Sequence, residues 1–237
     1  MITLPVKNRA EPYLVNPTKL IALGLNYRAH IAESLSVKVK GFTTDIPTEP
    51  LLFSKTPNVL IGPEQAIVIP GFLKAYGFKA LRTDYEAELA VIIGKRCKAV
   101  SVRDATACIF GYTCMNDVSQ RNIQNGDRTG WFRGKSLDTF GPIGPQVVAA
   151  ADLPNPQALS IRCRLNGTIV QDANTSQMIF KIPEIVAFVS TNFTLEPGDI
   201  ILTGTPSGVG PLTHGDVVEV EIEQIGVLKN TVIDETR

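Results

Sequence analysis

Apolar runs closed by Gly, Pro, Asn or Asp recur along this chain, and most of them are rich in β-branched residues. They fall at 19–27 (KLIALGLNY), 64–70 (EQAIVIP), 87–94 (AELAVIIG), 158–170 (ALSIRCRLNGTIV), 199–205 (DIILTGT) and 216–232 (DVVEVEIEQIGVLKNTV). Several alternate with period two, as half-buried antiparallel strands do. Asn166-Gly167, set between alternating segments, is a strong hairpin signal. Helical patterns are fewer. They cover 28–35 (RAHIAESL), 102–114 (VRDATACIFGYTC, with Asp104 near its start) and 183–191 (PEIVAFVST, where Pro183 suits a first helical position). The pattern predicts a β-rich α+β fold, with no internal repeat or low-complexity tract.

Composition narrows the function. The 237 residues balance 23 Lys and Arg against 23 Asp and Glu, which leaves no basic excess to hold nucleic acid or an anionic membrane surface. No stretch approaches the ~18 apolar residues of a membrane span, and the N-terminus lacks the cationic and apolar regions of a leader. A cytoplasmic protein is expected. Cys97, Cys108, Cys114 and Cys163 are scattered without a C-x-x-C pair, so they read as reduced structural thiols.

Candidate chemistry begins at DYEAELAVIIG, residues 84–94. On a strand, Glu86 and Glu88 project from one face while Tyr85, Ala87 and Leu89 point the other way. Adjacent carboxylates repel, unless solvent separates them at a strand edge or a cation lies between them. The solvated edge is the commoner explanation of an isolated E-x-E. Here Asp117 closes a second apolar segment, and three carboxylates without a His/Cys cluster suit a hard divalent ion, Mg²⁺ first, with Mn²⁺ and Ca²⁺ as alternatives. His30 and Glu33, spaced i,i+3, can meet on one helix face, either as an incidental surface pair or as a base and its orienting carboxylate. His214, the other histidine, sits in a turn and is expected to be solvated. The segment ILTGTPSGVG (201–210) lacks the spacing of a nucleotide loop. Its glycines allow either close backbone approach to an anion, with Thr205 as a hydroxyl donor, or simply a tight turn. Lys135, between aromatic residues and Gly/Pro boundaries, is either a cation aimed into a pocket or an ordinary loop lysine.

Six segments in register, GLNYRAHIAE, DYEAELAVIIGKRC, NDVSQRNIQ, RGKSLDTFGPIGP, TSQMIFKIPEIVAFVS and LEPGDIILTGTPSGVGP, resemble the fumarylacetoacetate hydrolase superfamily, in particular its short members. The likeness spans residues 18–222. It implies a mixed β-roll of the C-terminal-domain type over 18–237, preceded by an N-terminal extension (1–17), and it implies a homodimer. It also implies Mg²⁺ or Mn²⁺ held by Glu86, Glu88 and Asp117, with His30 and Glu33 on a lid as the dyad that activates water. Lys135, Arg121, Gln124 and Thr205 match positions that contact a small 2-oxo acid. The implied chemistry is hydrolysis of a C–C bond in an acylpyruvate, through an enolate stabilised by the cation. Decarboxylation of oxaloacetate and isomerisation of 2-hydroxyhepta-2,4-diene-1,7-dioate are the alternatives. Outside enzymes, the alternative is a non-catalytic binder of such acids, which would have no need of the His30 base. The 71–83 segment (GFLKAYGFKALRT) is longer than in compact relatives and is expected to line or cover the pocket or to meet a partner subunit. The segment after Glu33 is expected to be a polar lid that selects the far end of the substrate.

Overall fold

The computed structural model describes residues 2–33, 45–127 and 131–236. Its main sheet has seven strands in the order Leu51–Lys55, Leu20–Gly24, Ile200–Leu202, Ala87–Ile93, Ile109–Asn116, Gly141–Ala149 and Leu60–Ile61. A five-stranded sheet runs Thr168–Asn174, Ser160–Leu165, Val217–Ile222, Gly226–Asp234 and Ile67–Ile69. Both are mixed, with parallel pairs such as Ile200–Leu202 on Leu20–Gly24 among antiparallel ones. The sheets curl against each other as a roll, and helices are few, as the α+β β-roll expectation requires.

Burial explains the sequence pattern. Leu89, Val91 and Ile93 face the large core shared with the five-stranded sheet and the helix Ile182–Asn192, while Ala90 and Ile92 face a second core on the opposite side. A strand buried on both faces has no polar positions to alternate with, so 87–93 reads as a continuous apolar run. The second core also takes Leu4, Val6 and Val15, so the segment around the Ile2–Leu4 and Tyr13–Val15 pair packs directly on the main sheet.

The expected hairpin at Asn166-Gly167 joins Ser160–Leu165 to Thr168–Asn174, and the 216–232 run divides at Glu223–Ile225 into two paired strands. One expectation fails. Residues 102–114 are not a helix: Asp104 precedes a single 3-10 turn, Ala105–Cys108, and from Ile109 the chain is a strand. Ile109–Asn116 is flanked by strands on both edges, and burial on both faces hides the alternation that would have betrayed it.

The 71–83 segment forms a 3-10 turn, Gly71–Tyr76, with Phe72 and Tyr76 exposed. It meets the candidate site in two places: the Arg82 carbonyl accepts from Arg121 N at 2.8 Å, and the Tyr76 hydroxyl accepts a hydrogen bond from Arg133 Nη2 at 2.8 Å, on the short helix Phe132–Lys135. The expected lid begins with the helix Arg28–Glu33, and its continuation through residue 44 lies outside the described residues. No described helix is long and apolar enough to cross a membrane.

Candidate active site

The antiparallel pairing of Ala87–Ile93 with Ile109–Asn116 creates the acidic cluster. Ala87 lies opposite Asn116, so Glu86 and Glu88 at the start of one strand meet Asp117 just past the end of the other. Asp117 N donates to Glu86 O at 2.9 Å, and Glu86 N to Asn116 Oδ1 at 2.9 Å, which locks the junction. The three carboxylates offer oxygens that all lie within 4.8 Å of one another, and all three side chains are buried. That burial rules out the solvated-edge reading of Glu86 and Glu88. Oxygens about 2.1–2.4 Å from a shared Mg²⁺, Mn²⁺ or Ca²⁺ lie no more than ~4.8 Å apart, so the donor set fits a hard divalent cation.

Buried charge needs partners. Lys135 Nζ donates to Glu86 Oε2 at 2.7 Å and to Asp117 Oδ2 at 2.6 Å. Arg121 binds Asp84 Oδ2 through Nε at 2.9 Å, Glu86 Oε1 through Nη2, and Gln124 Oε1 through Nη1 at 2.8 Å. Helix Phe132–Lys135 reaches this position because it packs closely on Arg121–Gly126: a Cβ at Gly134 would lie 2.7 Å from Gln124 N.

These neighbours separate the two glutamates. Burial pushes the Glu86 pKa up, but Lys135 and Arg121 outweigh it and hold this carboxyl well below the usual range. Among the described residues no cation forms an ion pair with Glu88; burial, then the charges of Asp117 and Glu86, raise its pKa well above the usual range, against Lys135 and the Gly204 N–H that donates to Oε2 at 2.6 Å.

His30 Nδ1 lies 3.4 Å from Glu33 Oε1, and the same oxygen accepts from Gly208 N at 2.7 Å and from Val209 N at 3.4 Å. The glycine-rich loop therefore spends these two amides on the dyad and not on an external anion. Burial raises the Glu33 pKa, yet His30 and the Gly208 amide bring it below its ordinary value. Gly208 cannot be replaced without strain: its φ is +95°, and a Cβ there would lie 2.0 Å from Val170 O.

His30, Glu86, Arg121, Gln124, Lys135 and Thr205 line one pocket, together with the apolar residues Leu23, Leu25, Phe53 and Trp131. Glu88 and Asp117 do not line it, but each offers a carboxylate oxygen within 4.8 Å of Glu86. His214 stands apart; it is exposed and accepts the Asp234 N–H at Nδ1, 3.0 Å away.

The sequence pattern does not reveal four other participants. Lys55, fully buried, places Nζ 2.6 Å from Asp117 Oδ1 and also binds the Lys135 carbonyl. Asp84 anchors Arg121, and Phe53 carries Lys135 Nζ 5.0 Å above its ring. Gln171 bonds Thr205 Oγ1 at 2.9 Å. Lys55 and Gln171 stand on strands outside the quoted motifs, and the tertiary packing brings them in.

Residues 19–233 match the model of the fumarylacetoacetate (FAA) hydrolase C-terminal domain. A mitochondrial oxaloacetate tautomerase of Bos taurus is 41% identical over 97% of this chain and 72% of its own length. Among solved structures, 5-carboxymethyl-2-hydroxymuconate delta-isomerase from Mycobacterium smegmatis superposes with a TM-score of 0.79 at 38% identity, over 93% of this chain and 78% of that one. The fumarylpyruvate hydrolase of Pseudomonas aeruginosa, in complex with Mn²⁺ and pyruvate, gives a TM-score of 0.85 at 26% identity, over 99% and 96%. With the domain model spanning nearly the whole chain and the buried carboxylates in one cluster, the chain belongs to the fumarylacetoacetate hydrolase family.

Proposed function

We propose that this protein is a divalent-metal-dependent enzyme of small 2-oxo acids whose reaction is C–C hydrolysis of an acylpyruvate. One observation carries the reading: of three buried carboxylates whose oxygens lie within 4.8 Å of one another, Glu86 lines the same pocket as His30, which is itself paired with Glu33. Mg²⁺ or Mn²⁺ held by Glu86, Glu88 and Asp117 would supply Lewis acidity to the oxo acid's carbonyl.

The protein's own groups divide the remaining work. Glu33 accepts the Nδ1–H of His30, which leaves Nε2 as the basic nitrogen able to take a proton from water attacking the distal carbonyl. Lys135 and Arg121 bring positive charge to the pocket, where they attract the anionic acid and offset negative charge that develops during reaction. Thr205 and Gln124 line the same space and offer hydrogen bonds that orient the carboxylate. The apolar residues Leu25, Phe53 and Trp131 exclude water from this region.

A second reading is supported by the relatives. The bovine protein is named an oxaloacetate tautomerase and the mycobacterial one an isomerase, so the same base would take a carbon-bound proton with no attacking water. Pyruvate release from acetylpyruvate and tautomerisation of oxaloacetate, each measured with Mg²⁺, with Mn²⁺ and with EDTA, test both. Metal-dependent pyruvate release establishes the hydrolase; metal-dependent tautomerisation alone establishes the second reading. No turnover of any 2-oxo acid overturns both and leaves a binder.

A further inference from the structure

Gln171 is buried on Thr168–Asn174, a strand outside every motif of the site, yet its amide is committed at both ends. Its Oε1 accepts from Ala87 N at 3.0 Å, the peptide between the two candidate metal ligands Glu86 and Glu88. Its Nε2 lies 2.9 Å from Thr205 Oγ1 and 2.9 Å from Pro206 O. A peptide N–H can only donate and a peptide carbonyl can only accept, so these partners fix which end of the amide is which. Both Nε2 protons are then used, one on Pro206 O and one on Thr205 Oγ1.

The consequence falls on Thr205. A hydroxyl has one proton to give. Because Gln171 already donates to Oγ1, the Thr205 proton is not needed for that bond and is available to the pocket that Thr205 lines. We infer that Gln171 is a positioning residue that fixes Thr205 as a donor toward an acceptor-only group of the ligand, namely the carboxylate of the 2-oxo acid. The inference deepens the proposed function and rests on its assignment of Thr205 to the substrate. It adds a residue that touches neither ligand nor metal but ties the strand of metal ligands to the loop that receives the acid.

The test uses oxalate, an acceptor-only mimic of the acid, titrated calorimetrically into the Mn²⁺-loaded protein. Gln171→Glu keeps the acceptor for Ala87 N–H but presents an oxygen to Thr205, so the hydroxyl turns its proton inward and away from the pocket. Thr205→Val removes the hydroxyl and keeps the shape. Each single variant is expected to weaken oxalate about tenfold, the usual worth of a hydrogen bond to a charged group. The double variant should be no weaker than Thr205→Val alone. Wild-type binding by Gln171→Glu, or a full second loss in the double variant, overturns the inference. Undiminished binding by Thr205→Val also overturns it, and locates the failure in the substrate assignment of Thr205.

A second measurement needs no change at Gln171. Wild type should prefer pyruvate over pyruvamide, which can present N–H donors in place of the carboxylate, and Thr205→Val should narrow that preference about tenfold. An unchanged preference overturns the donor assignment even if Gln171→Glu fails to fold.

Discussion

Replacing Lys55 with Met asks whether the buried ion cluster is assembled as described. Lys55 has no exposed side-chain surface; its ammonium meets Asp117 Oδ1 at 2.6 Å and Val118 O at 3.3 Å, and also binds the Lys135 carbonyl. Burial lowers the Lys55 pKa against the pull of Asp117, and the neighbouring charge of Lys135 lowers it further. Met fills a similar volume and preserves packing, while Asp117 is left with Lys135 as its remaining cation. Removing one partner of a buried pair costs ~3–5 kcal/mol. For a protein of this size ~1 kcal/mol moves the melting temperature by about 2–4 °C, so Lys55→Met should melt about 6–20 °C lower in EDTA. Circular dichroism melts provide the assay. Arg96→Met is the control, because the Arg96–Glu196 pair is well exposed and should be worth no more than ~1 kcal/mol. A Lys55→Met loss equal to that of Arg96→Met would refute the claim that Asp117 depends on Lys55 for charge compensation.

Three further outcomes are expected. His30→Ala should reduce acylpyruvate hydrolysis by ~10²–10⁴-fold, the usual share of general acid-base catalysis, in a pyruvate-release assay. Equal activity in variant and wild type would remove the base from the mechanism. Gly208→Ala should disturb the loop that holds Glu33, through both the +95° φ and the 2.0 Å approach to Val170 O, and steady-state kinetics should show a lower kcat. In EDTA, the folded state holds the Glu88 proton more tightly than the unfolded chain, so stability should fall as pH rises above about 5, and Glu88→Gln should flatten that slope. Glu86 does not mask the effect, because its lowered pKa contributes stability already complete in that range and lost only toward acid. Urea unfolding between about pH 5 and 8 checks the sign.

What the sequence made legible follows from locality. Glu86 and Glu88 are two apart on one strand, and His30 and Glu33 are three apart on one helix, so short-range geometry alone brings each pair together. Asp117 was visible as the polar end of an apolar run. The compensating cations were harder to place: Lys55 ends a strand at the edge of the main sheet, and nothing local distinguishes it from a solvated lysine. Gln171 is equally silent, because its importance depends on a loop more than thirty residues away. The strand Gly141–Ala149 carries Pro142 and Pro145, residues that argue against a strand in sequence, and accommodates them beside a register shift between Gly144 and Val148. The misread 102–114 segment shows the same limit, since its partners on both edges, and not its own period, make it a strand.

The proposed chemistry requires Glu86, Glu88 and Asp117 to hold one catalytic divalent cation. Calorimetric titration of Mn²⁺ into metal-free wild type and into Asp117→Ala tests it most directly, with circular dichroism to verify that the variant is folded. Wild type is expected to bind one Mn²⁺ per chain, and Asp117→Ala to lose that binding. Stoichiometric Mn²⁺ binding of undiminished affinity in folded Asp117→Ala would contradict that requirement.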